Sequence, residues 1–168
     1  MTKTEIEKRM NEIQQELNSL KAQLNEPEKK TGWEKPDFGG QYYYVGNDVS
    51  AHGSTWTNHQ LDTCRYNNAN CFTSEELAEN IARYQSLDLR IRRRIAEICE
   101  PIQWGDCRRK WHFVWSHNTN LMIIDWSDSV IEYATWNFDT REQAEQIMGE
   151  FKDDLLWYFT EFKDRMDG

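Results

Sequence analysis

Apolar residues recur through the first 25 positions at alternating intervals of four and three. Ile6, Met10, Ile13, Leu17, Leu20 and Leu24 form this seam, with charged and amide side chains between them. That is an a/d pattern over nearly three heptads and predicts a helix with one apolar stripe. A single helix of this length is marginal in water, so the stripe needs a partner. Two partners fit: a second copy in a two-stranded coiled coil, or the chain's own globular part.

Pro27 and the polar run E-P-E-K-K-T-G end the helix, and Pro36 with Gly39-Gly40 opens the next region. Residues 27–40 read as a linker, with Trp33 placed to pin it. Q-Y-Y-Y-V (41–45) then reads as a strand, G-N-D-V-S-A-H-G-S as turn chemistry, and S-T-W-T-N with T-C-R-Y as further strand. Leu77, Ile81, Tyr84, Ile91, Ile95 and Ile98 give a helical face of period near 3.6 that runs to about residue 99, before Pro101. K-W-H-F-V-W, L-M-I-I-D-W and V-I-E-Y-A-T-W predict three more strands. A last helix places Ala144, Ile147, Met148, Phe151, Leu155, Phe159 and Phe162 on one face.

The two helices start alike. At an offset of 66, Phe72, Glu76, Ala78, Glu79 and Ile81 match Phe138, Glu142, Ala144, Glu145 and Ile147. Thr73 and Asp139 stand where a cap belongs, each three residues before a Glu, which predicts two capping boxes entered from Phe-ended strands. The fold class is therefore α+β. An N-terminal coiled-coil helix (1–26) and the linker precede two tandem antiparallel sheet-plus-helix units, 41–100 and 101–168. Neither small unit buries enough surface to stand alone, so the two are expected to pack as one domain with their sheets joined.

Composition narrows the function. The chain has 168 residues, is 29% charged and carries a net charge of −9. A phosphate backbone is repelled overall, so free nucleic acid is an unfavoured partner and a basic protein surface a favoured one. No apolar run reaches the ~18–20 residues of a membrane span, and the N-terminus lacks a signal peptide's apolar core. A cytoplasmic location follows as an expectation. Many of the eight Trp, seven Tyr and seven Phe belong in the core of so small a protein, and a surplus on the surface would favour a binding face.

Candidate chemistry is sparse. Cys64, Cys71, Cys99 and Cys107 lack zinc-knuckle spacing, and reduced thiols are the simplest reading, with a disulfide left open. His52, His59, His112 and His117 have no helical metal spacing, and no nucleophile elbow, phosphate loop or dinucleotide fingerprint is present. No catalytic residue, metal or cofactor is assigned. Arg90, Arg92, Arg93 and Arg94, with Arg108, Arg109 and Lys110, either form a patch for phosphates or pair with the acidic last helix. The most distinctive stretch is 56–72, where Trp56, Asn58, Asp62, Arg65, Tyr66 and Asn70 crowd a strand–turn–strand. They either hold the turn, with Asp62 and Arg65 paired, or form a recognition surface.

The pattern Trp33…Tyr42-Tyr43-Tyr44…Trp56-x-Asn58…Asp62-x-x-Arg65-Tyr66…Asn70-Cys71-Phe72-x-x-Glu75-Glu76-x-Ala78-Glu79 resembles a group of small phage and prophage proteins of Gram-positive bacteria. The resemblance covers most of residues 33–160. Ala69 stands where that group usually has Gly, and His59 where an Asp often follows the Trp-x-Asn. Together with the net charge of −9 and the aromatic count, the resemblance points to a non-enzymatic phage accessory protein that binds and inhibits a host protein, a defence factor (in the manner of an anti-CRISPR) or a nucleic-acid-handling factor. The alternative is a module that binds or sequesters a nucleotide or single-stranded nucleic acid through Arg65 and the 90–94 arginines.

Overall fold

A computed structural model of the chain describes residues 3–24, 31–100, 108–128 and 135–162. The order is α1 (Lys3–Leu24), β1 (Gln41–Val45), β2 (Ala51–Thr55), α2 (Gln60–Asn67), α3 (Glu75–Ile98), β3 (Lys110–Ser116) and β4 (Leu121–Ser127). Then follow β5 (Asn137–Phe138), α4 (Arg141–Glu150), α5 (Lys152–Trp157) and a π-helical turn (Tyr158–Phe162). The fold is α+β.

Along α1 the described seam residues face solvent: Met10 is 64%, Ile13 53%, Leu17 44% and Leu20 54% exposed. None of these four folds back onto the rest of the chain. The side chains of Ile6 and Leu24 lie outside the described part of the helix.

β1 and β2 form an antiparallel pair with Tyr43 opposite Gly53 and Val45 opposite Ala51. The turn is shorter than the sequence suggests, because Gly46 and Ser50 already close it by a 2.9 Å backbone bond and Ala51–Ser54 pair as strand. T-C-R-Y is helix, not strand. His59 Nδ1 accepts from Leu61 N–H and Asp62 accepts from His59 N–H, so a capping box starts α2 and overrides the β preference of Thr, Cys and Tyr.

Phe72 exchanges two backbone bonds with Tyr43, at 2.7 and 2.8 Å, and Phe138 pairs antiparallel with Trp111. Each Phe of the repeat thus lies against the first strand of a hairpin. The caps are Ser74 and Thr140, one residue later than Thr73 and Asp139, at the same offset. Ser74 Oγ accepts from Leu77 N–H, and Thr140 shares a full capping box with Gln143, so Glu76 and Glu142 are not box partners. Thr73 is otherwise engaged, its N–H donating to Gly32 O and its hydroxyl to Glu34.

The sheets are separate among the described residues: one of β1 and β2, one in the order β4-β3-β5. What joins them is α3. Its first turns bury Ala78 and Ala82 with Val45 and Phe72, and further along Leu87 and Ile91 enter the larger core. There they meet Phe113, Trp136, Phe138, Ile147, Leu155 and Phe159. The last helix is broken at Phe151 (φ −115°, ψ 22°) and ends in the π turn, which brings Trp157 and Tyr158 inside beside Phe159 and Phe162. Of V-I-E-Y-A-T-W, residues 130–134 lie outside the described residues, while Thr135 and Trp136 form a bend, not strand.

Candidate functional site

The residues singled out between 56 and 70 are brought together, and most of their polar atoms are spent on the fold. Asp62 is 5% exposed. Its Oδ2 accepts from the Thr57 N–H and hydroxyl, both at 2.9 Å, and from His59 N–H, while Oδ1 accepts from the Tyr42 hydroxyl at 2.8 Å. These bonds, the Thr57 N–H foremost, hold the carboxyl at a pKa of about 2 against the cost of burial. Asp62 and Arg65 are not a direct pair; the Tyr42 hydroxyl stands between them, accepting from Arg65 Nη1 at 2.7 Å. The guanidinium lies over Tyr44, its Cζ 3.4 Å from the ring centre.

Trp56 is buried, with Nε1–H donating to Asn58 Oδ1 at 2.7 Å. Asn58 takes a left-handed φ of 60°. Ala69 does the same at 53°, so the turn that glycine would favour forms without it. Asn70 continues the sheet with its side chain, Oδ1 accepting from Val45 N–H and Nδ2 donating to Val45 O. Tyr66, 38% exposed, sets its edge to Trp56 beneath the Lys35 ammonium. Asn58 and Tyr66 remain at the surface, Arg65 and Asn70 are half-buried, and Trp56 and Asp62 are buried.

Of the arginine run, Arg90, Arg92 and Arg94 pair with acids, as does Arg83 before it, while Arg93 is exposed. Arg83 and Arg90 both donate to Asp154, Arg94 grips Glu150 and Glu97, and Arg92 donates to Asp88, which also accepts from Trp136 Nε1–H. The bonds from Arg94 lower the pKa of Glu150. The pairs with Glu150 and Asp154 tie α3 to α4 and α5, while Arg92–Asp88 and Arg94–Glu97 lie within α3.

Trp33 packs edge-on against Phe72, pinning the linker as its position suggests. Beside it Glu34 accepts from Thr31 N–H, Thr31 Oγ1, Gly32 N–H and Thr73 Oγ1. The Thr73 bond leads in holding its pKa at about 2. A shallow pocket of about 190 Å³ opens next to this corner, lined by Trp33, Glu76, Leu77, Asn80 and Phe162. Cys64, Cys71 and Cys99 are free thiols, and Cys107 lies outside the described residues. Among the described residues no three His, Cys, Asp or Glu side chains converge as metal ligands.

The sheet of β3 and β4 shows a feature that the sequence reading passed over. Alternation puts Trp111, Phe113, Trp115, Met122 and Ile124 on the core face. On the other face Val114 pairs with Ile123 and Ser116 with Leu121, where Leu121 is 60% and Ile123 42% exposed. Asp125 continues this face, but its partner His112 and, beyond it, Lys110 are buried, so the face is open at its Leu121–Ile123 end; β4 is an edge of its sheet among the described strands. Trp126 is also 41% exposed, under the Arg109 guanidinium at 4.2 Å. The signal was present in L-M-I-I-D-W, which is apolar at both alternating sets of positions where a strand covered on one face alternates.

The chain matches no protein-family model, no curated protein and no solved structure.

Proposed function

We propose that this chain is a protein-binding accessory protein without catalytic activity, and that the outer face and edge of β4 is where it docks. The observation that carries this is an edge strand exposing Leu121 and Ile123 beside Val114. Native proteins avoid long apolar edges unless something covers them. The occupant is a protein presenting apolar side chains within a basic surface, complementary to Asp125, Asp128 and the net charge of −9.

The resemblance to phage and prophage proteins makes that partner a host defence or nucleic-acid-handling factor, blocked in the host cytoplasm. No helix of the described residues is long and apolar enough to cross a membrane. The α1 seam supplies self-association through residues 4–25. Of the arginines that a nucleotide or single strand would use, Arg65, Arg90, Arg92 and Arg94 already serve Tyr42 or carboxylates, which favours the protein partner.

The test is capture from host lysate with the intact chain and with Ile123→Asp, followed by binding to the identified protein in purified form. Support is a partner with a basic surface, weakened by added salt and lost with Ile123→Asp. Retention of no protein, or equal retention by both chains, overturns the proposal. Tryptophan fluorescence with nucleotides and single-stranded oligonucleotides is a second arm, where saturable quenching at low micromolar ligand restores the nucleotide reading.

A further inference from the structure

α1 runs unbroken for 22 residues, a rod of about 33 Å. The four-then-three spacing fixes its heptad. Met10, Leu17 and Leu24 fall at a, and Ile6, Ile13 and Leu20 fall at d. Two-stranded parallel coils take β-branched residues at a and Leu at d. The reverse arrangement, Leu at a and Ile at d, shifts the preference to three or four strands. In a dimer the d side chain points straight at its partner, and the branch at Cβ of Ile fits that geometry poorly. With more strands the angle opens and Ile is accommodated.

The flanks agree with a parallel arrangement. Glu16 occupies g, and Lys21, five residues on, occupies the e position that a g residue meets on the neighbouring helix when strands run the same way. Each interface between neighbours then gains a Glu16–Lys21 pair between chains. Arg9 at g meets Gln14 at e, so neither of these two layers sets like charges together. Within one helix Arg9 bonds to Glu12 and Gln14 to Asn18, and the seam residues Met10, Ile13, Leu17 and Leu20 stay open to solvent.

We infer that α1 assembles three or four copies of this chain into a parallel helical bundle. This deepens the self-association proposed above and is independent of docking at β4. The docking faces are then displayed in multiple copies from one stem, so a partner offering several sites is held by avidity.

The test uses the full chain, 20.2 kDa by sequence. Light scattering over a range of concentrations should give three or four chain masses for the intact protein. Leu17→Glu should give one, with the near-ultraviolet circular dichroism of the globular part unchanged. In a Cys64→Ser background, Met10→Cys should oxidise to a disulfide between two copies of position 10, identified by peptide mapping. A two-chain mass overturns the bundle while leaving self-association standing, and a one-chain mass for the intact protein overturns both. Failure of position 10 to link to itself in an assembly of more than one chain overturns the parallel arrangement.

Discussion

The Asn70 carboxamide meets the backbone of Val45 as a strand residue would, accepting from its N–H at 2.7 Å and donating to its carbonyl at 2.9 Å. Only an amide does both. Asn70→Asp keeps an acceptor but turns an oxygen toward the Val45 carbonyl, leaving that carbonyl without its donor. The expected loss is about 1–3 kcal/mol, read from urea or thermal melts. An unchanged midpoint would mean that the pairing contributes nothing.

Asp62 sets an acid limit. Its native pKa of about 2 lies below the ordinary ~3.9 of an unfolded Asp, so its contribution is complete above pH ~4. It is lost as the pH falls towards 2. Glu34, likewise held at about 2 chiefly by the Thr73 hydroxyl, acts in the same window. Melting temperature followed from pH 6 to 2 should fall steeply for the intact chain. In Asp62→Asn the curve should start lower and run flatter.

Ala69 and Gly32 both sit at positive φ and predict opposite outcomes. Ala69 has a φ of 53°, where a residue with a Cβ is strained, so Ala69→Gly should stabilise by about 0.5–1 kcal/mol after the entropy of the added glycine is deducted. Gly32, at φ 88°, holds a backbone conformation that a residue with a Cβ adopts only under strain, and an added Cβ would also crowd Leu77 Cδ2 at 2.8 Å and Ser74 Cβ at 3.1 Å. Gly32→Ala should cost about 1–3 kcal/mol in the same melts.

The core face of α3 tests the larger packing. Leu87 and Ile91 are fully buried beneath both the second sheet and the last helices. Leu87→Ala should destabilise by about 2–5 kcal/mol. A loss under 1 kcal/mol would contradict the role of α3 in joining the two cores.

Long periodic elements were legible in the sequence, while short ones and the purpose of polar side chains were not. Leu77, Ile81, Ile91 and Ile98 marked α3 because helical period accumulates over many turns, and Pro101 marked its limit. α2 was misread because His59 is an uncommon cap and its Asp62 partner is visible only once the box closes. The caps at Ser74 and Thr140 were missed by one residue, since Thr73 and Asp139 have equally suitable side chains. The cluster at 56–70 read either as a held turn or as recognition chemistry, because Asn, Asp and Arg serve both. The same atoms also satisfy backbone groups and each other, and sequence does not say which way Asn70 or Arg65 turns. Leu121 and Ile123 were read as strand residues without a face, because L-M-I-I-D-W is apolar at both alternating sets of positions.

The most direct test of the account places a photo-activated crosslinking residue at Leu121 or Ile123 of the full chain in host cells, with Thr63 on exposed α2 as control. Docking at β4 predicts one dominant adduct with a single host protein from 121 and 123, and none of that adduct from 63. No adduct, the same products from all three positions, or an adduct only with a second copy of this chain would contradict it.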